Sequence, residues 1–185
     1  MLRGLALVVV VALQTAALVA MIAMKQWTLA TGVPIVLETL PIDPRSLFRG
    51  DYVRLGYAVG QLNEDALDGD NGFERHDRIY VVLREGDPYW LPASLHREQP
   101  SVATGQVMMR GNVEYAYKQH VTNANTLRVR YGIENYFVPE GEGLALEQPE
   151  EGETISIEVA VDADGNAGIK AVLVNGERRY VEKLW

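Results

Sequence analysis

The most pointed grouping of chemistry-bearing residues is Asp162-x-Asp164-Gly165-Asn166, where three oxygen side chains at alternate positions could converge on one cation. The sixth position of such a calcium loop needs glycine and the twelfth a bidentate glutamate, yet Ala167 and Leu173 stand there. The segment therefore reads as a tight connection between strands. His76, His96 and His120 are too scattered for two of them to share a strand face as metal ligands. The absence of cysteine removes disulfides, thiolate zinc sites and a cysteine nucleophile together. No glycine loop of the phosphate-cradling type occurs. Ser46 has Lys118 as the nearest plausible base, with no motif to support the pair. These residues name no catalytic group, no metal site and no cofactor.

At 185 residues and 48% hydrophobic content, the chain can fill one core in a domain of about 150 residues plus an accessory segment. The net charge is -8, and it becomes -10 without Arg3 and Lys25, the charged side chains of the first 25 residues. Such a surface repels phosphate backbones, which disfavours nucleic acid as a partner. Two acidic stretches, Glu64 to Asp77 and Glu140 to Glu153, read as solvated faces.

The elements that must position these residues begin with a span. Leu5 to Met24 is free of charge, is interrupted only by Gln14 and Thr15, and reaches about 30 Å as a helix, the thickness of a hydrocarbon core. Arg3 before it favours a cytoplasmic N-terminus, and Trp27 after it suits the far interface. A cleaved signal peptide would have a shorter apolar run and a small-x-small site, of which Thr28-Leu29-Ala30 is a poor version. The sequence thus predicts a retained anchor over residues 1–30 and a domain outside the cytoplasm over 31–185.

Beyond Gly32-Val33-Pro34, apolar residues recur at every second position. Val53, Leu55, Tyr57 and Val59 share one face; so do Val113, Tyr115 and Tyr117, and Leu127, Val129, Tyr131 and Ile133, with Arg128 and Arg130 outward. Ile155, Ile157, Val159 and Val161 form another face, with Ser156 and Glu158 opposite. Ile79 to Leu83 is a continuous apolar run, suited to a strand covered on both sides. Asn175-Gly176 is a strong hairpin signal, and Asp162 to Asn166 a second tight connection. A short helix is expected at Glu64-Leu67. The fold expected is mainly β, an N-terminal transmembrane helix followed by an antiparallel β-barrel or β-sandwich.

Gly50-Asp51-Tyr52-Val53-Arg54-Leu55-Gly56-Tyr57 reads as a turn that launches a strand, with Leu55 and Tyr57 facing the core and Asp51 able to accept backbone hydrogen bonds. The stretch resembles, residue for residue, the signature of the GDYXXLXY protein family, and Tyr136-Phe137-Val138-Pro139-Glu140-Gly141-Glu142-Gly143 resembles a second block of that family. The resemblance, together with the anchor and the C-terminal strands, covers nearly the whole chain. It implies a bacterial membrane-associated protein, polytopic membrane proteins as neighbours, and no established biochemical activity. Its signature positions supply the binding candidates: Gly50, Asp51, Tyr52, Arg54, Leu55, Tyr57, Tyr136, Phe137, Pro139, Glu140 and Gly141. Leu40 to Arg49 is also loosely similar to the segment after the nucleophile of membrane-anchored signal peptidases, but the serine position falls at Ile42, which cannot attack a carbonyl.

The function expected is a non-enzymatic binding or assembly component of the cell envelope, tethered to the cytoplasmic membrane and associated with a polytopic membrane protein. Its alternatives are an envelope hydrolase and a barrel holding a lipid or small molecule.

Overall fold

A computed structural model of the chain describes residues 2–40, 52–118, 125–137 and 153–182. It consists of one N-terminal helix and a mostly antiparallel β domain with a curled, half-barrel sheet. Helix α1 (Leu2–Thr31) has no polar face, and its most apolar window is wholly unburied. From Ala6 to Thr31 it is long and apolar enough to cross a membrane.

The helix stops at Gly32, whose N–H donates to the Thr28 carbonyl at 2.9 Å. A Cβ at residue 32 would lie 2.6 Å from Thr28 O and 2.9 Å from the Val161 nitrogen, so only glycine lets the chain turn there against Val161. The helix thus passes into β1 (Val33–Leu40) without a linker.

The remaining strands are β2 (Tyr52–Arg54), β3 (Gly56–Tyr57), β4 (Gln61–Asn63), β5 (Asp68–Gly69), β6 (Arg78–Arg84), β7 (Leu91–His96), β8 (Gln106–Lys118), β9 (Asn125–Arg130), β10 (Asn135–Phe137), β11 (Ile155–Val161), β12 (Ala167–Val174) and β13 (Glu177–Val181). One sheet has the order β13-β12-β11-β1-β3, another β4-β9-β8-β6-β7-β5, and β10 pairs with β2. All ladders are antiparallel except β5 with β7. Both large sheets feed one core, in which Ile35, Leu37, Ile157 and Val159 meet Ile79, Val81, Met109 and Leu127.

Much of the alternation is as expected. Leu127, Val129, Tyr131 and Ile133 are buried, and every residue from Ile79 to Leu83 is buried in the middle of the six-stranded sheet. Asn175 and Gly176, with φ of 53° and 81°, make the β12–β13 turn. The helical turn near Glu64 is a 3-10 turn, Glu64–Ala66, capped by the Asn63 side chain.

Three expectations fail because of contacts with segments distant in the chain. Tyr115 and Tyr117 do not share the inward face of Val113: a bulge between Val113 and Tyr115 inserts one residue against β9, and the two rings turn outward at about half exposure. Ser156 and Glu158 lie opposite the core face of β11 as expected but are buried, because the end of α1 packs against β11 and β12. The first acidic stretch is not merely a solvated face. Glu64 is buried and accepts from the Phe73 N–H, Asp65 accepts from Asn125, and Asp70 and Asp77 both bind Arg97.

Candidate functional site

The signature does not form one strand. Its first part, β2, pairs with β10 in the register Val53 to Tyr136 and Tyr52 to Phe137. At Leu55 the chain leaves that partner, with the Leu55 N–H donating to the Glu134 carbonyl at 2.8 Å. Its last part, β3, pairs with β1, Tyr57 opposite Thr39. The signature is therefore a crossing point between ladders, and its expected inward residues Leu55 and Tyr57 are buried. Tyr136 is buried as well. For Tyr52, Arg54 and Phe137 only the backbone is described, and Gly50, Asp51, Pro139, Glu140 and Gly141 lie outside the described residues.

The structure thus brings together two blocks separated by some eighty residues of sequence, with tyrosines completing the join. Tyr57 donates its hydroxyl to the Ile133 carbonyl at 2.7 Å, and Tyr131 donates to the Val59 carbonyl at 2.7 Å. Glu134 closes the intervening turn by accepting from the N–H groups of Tyr131 at 2.6 Å and Gly132 at 3.1 Å. Burial, then the Glu134 charge, pushes both phenols well above the ordinary tyrosine range. They remain neutral donors at physiological pH, and each has its proton committed to a backbone carbonyl. What this arrangement does chemically is hold the crossing rigid.

A second constellation, missed by the sequence reading, lies where the helix meets the domain. The Asp162 to Asn166 hairpin connects β11 and β12 as expected, but the Asp162 carboxylate also receives the Thr28 hydroxyl at 2.7 Å. The same carboxylate accepts from the backbone N–H groups of Asp164 and Asn166 and from the Asn166 amide. Desolvation raises the Asp162 pKa, but these hydrogen bonds, from Asn166 first and Thr28 next, outweigh it and hold the carboxyl below the usual range. The cation-like spacing of oxygens is thus occupied by the protein's own donors. Lys25 Nζ donates to the Ala167 carbonyl at 3.2 Å, and Leu29 is buried against Gly168. The signal for this joint was the polar-apolar pair Thr28-Leu29 ending a uniform apolar run just before glycine.

Beside the joint, the buried Glu158 carboxylate is held by a two-pronged Arg178, Nε to Oε2 at 2.5 Å and Nη2 to Oε1 at 2.7 Å. A shallow groove opens there, lined by Leu29, Ala171, Val181, Lys170 and Arg178, among others.

Elsewhere, Arg97 organises the acidic loop: it pairs with Asp77 at 3.0 Å, donates to the carbonyls of Asn71 and Gly72, and stacks over Phe73. Ser94 Oγ and His96 Nε2 are 2.8 Å apart on the same face of β7. Among the described residues no group of three or more His, Cys, Asp or Glu side chains is placed to hold a metal.

A family model described as GDYXXLXY protein matches residues 14–172, and the chain belongs to that family. The match runs from mid-helix through the signature, the second block and the hairpin that carries Asp162. No curated protein and no solved structure matches.

Proposed function

We propose that this GDYXXLXY protein is a single-pass component of the bacterial cytoplasmic membrane whose β domain stands outside the cytoplasm, in the periplasm. There it acts as a non-enzymatic binding or assembly element of the cell envelope, with a polytopic membrane protein as its partner. The observation that carries this reading is the joint: the last turn of the apolar helix is part of the folded domain through Thr28, Leu29 and Gly32. A cleaved leader would take Thr28 and Leu29 from their buried sites and strip a hydroxyl from Asp162. A retained helix instead fixes the domain at one height and angle over the bilayer.

Such rigidity suits a protein that presents a surface beside another membrane protein. The span carries Gln14 and Thr15 exposed in mid-helix, where a neighbouring helix could satisfy them. Close to the joint, Gln26 Oε1 is buried without a hydrogen-bond donor among the described residues. Tyr57 of the signature and Tyr131, whose protons are committed to backbone carbonyls, support a scaffold role for the crossing rather than a reactive one.

The test is a photo-crosslinking residue placed at Gln14 in cells. An adduct with a polytopic membrane protein, weakened by the Thr15→Val change, is the expected outcome; adducts with lipid alone contradict the partner. The hydrolase alternative draws on the Ser94–His96 contact, though no carboxylate orients His96 among the described residues. Labelling of Ser94 by a fluorophosphonate probe would favour it.

A further inference from the structure

We infer that the groove at the helix–domain joint is a binding site for an anionic phospholipid of the bilayer that the helix spans. This rests on the anchoring reading, and on neither the side of the membrane nor the identity of a protein partner. Leu29 is at once the last buried residue of the helix and a wall of the groove, so the groove lies about one turn beyond Lys25. The stretch from Ala6 to Lys25 is about 30 Å long, which places Lys25 at the edge of the hydrocarbon and the groove at headgroup depth.

The chemistry of the walls matches that depth. Leu29, Ala171 and Val181 give an apolar surface, and Val181 is 58% exposed. Lys170 and Arg178 stand over it. Arg178 spends Nε and Nη2 on Glu158, which leaves Nη1 for another acceptor. Among the described residues no carboxylate lies within 4.0 Å of the Lys170 ammonium. A phosphate could therefore accept from Lys170 Nζ and Arg178 Nη1 while its glycerol and upper acyl carbons lie on Val181 and Ala171. The cavity, about 130 Å³, is smaller than the pockets that enclose small ligands, so it admits only the phosphate end of one lipid. Glu182 also lines the groove and opposes an anion there, and Glu158 is neutralised by Arg178, so the phosphate contact rests on Lys170 Nζ and Arg178 Nη1. In a chain of net charge -8, an anionic membrane surface repels most of the domain, and a groove whose two cations balance its two carboxylates is repelled least.

The test uses the full chain in nanodiscs made of equal parts zwitterionic and anionic phospholipid, released into mild detergent and weighed intact. Anionic phospholipid should be retained in preference to zwitterionic. Lys170→Glu should cut that retention about five-fold or more, the effect of losing one membrane-facing cation, whereas Arg84→Glu, an equal charge change at the exposed end of β6, should leave it unaltered. Equal retention of the two lipids, a Lys170→Glu variant that behaves as the parent, or an equal loss in Arg84→Glu would overturn the site. A chain that fails to enter the discs at all contradicts the anchor, and the site with it.

Discussion

Tyr57 and Tyr131 clasp the same two segments in opposite directions. One hydroxyl donates to the carbonyl of Ile133 and the other to that of Val59, each at 2.7 Å, so residues 57–59 and 131–133 are tied twice across more than seventy residues of chain. Removing either hydroxyl leaves a buried carbonyl without its donor, at about 1–3 kcal/mol. Tyr57→Phe and Tyr131→Phe should each lower the melting temperature of the detergent-solubilised protein by several degrees. A melting temperature within one degree of the parent for both variants would show that the clasp carries no stability.

The same two phenols set an alkaline limit. Their folded pKa values are raised above the unfolded value of about 10, so their contribution is fully present below that pH and is lost as pH rises past it. Each should remove about 1.4 kcal/mol of stability per pH unit in that range. Urea midpoints measured through the alkaline range should fall steeply, and Tyr131→Phe should reduce the slope. A flat profile would contradict the burial of both rings as neutral donors.

The joint has the opposite sign. Asp162 is held below its unfolded value, so its contribution is present above about pH 4 and is lost as pH falls through the folded pKa. Hydrogen exchange of the Gly32 amide, which closes the helix, taken relative to the intrinsic rate at each pH, should be slow at neutral pH and accelerate on acidification. Asp162→Asn and Thr28→Val should speed it at neutral pH too. Exchange that ignores both pH and these substitutions would mean that the helix end is not held by Asp162.

Packing at the joint makes a separate prediction. Leu29→Ala should destabilise the domain by about 2–4 kcal/mol, as truncation of a buried leucine does elsewhere, although the residue belongs to the apolar helix α1. Leu18→Ala, on the exposed part of the same helix, should leave domain melting unchanged. Equal effects would show that the helix and domain are energetically separate.

What was legible in the sequence was local. The alternation at 127–133, the buried run at 79–83 and the Asn175-Gly176 turn each follow from a few neighbouring residues, and each is found. The inward set Leu55, Tyr57 and Val59 is also found, although the chain there breaks into β2, β3 and a 3-10 turn as it changes partners. The outward turn of Tyr115 and Tyr117 was not legible, since nothing in the residues around Glu114 marks the inserted position, which only the partner strand reveals. The burial of Glu158 was hidden because its cover comes from a helix more than a hundred residues earlier. The pairing of the signature with the Tyr136 block likewise depends on a register that no local pattern encodes.

The central claim is that helix and domain are one unit, held in the membrane with the domain outside the cytoplasm. The chain has no cysteine, so Arg84→Cys, at an exposed end of β6, places a single thiol on the domain. Treatment of intact cells with a membrane-impermeant maleimide should label it, in the membrane fraction, on a chain that still carries residues 1–30. Labelling that requires lysis of the cells, or a labelled soluble chain lacking the helix, would contradict the account.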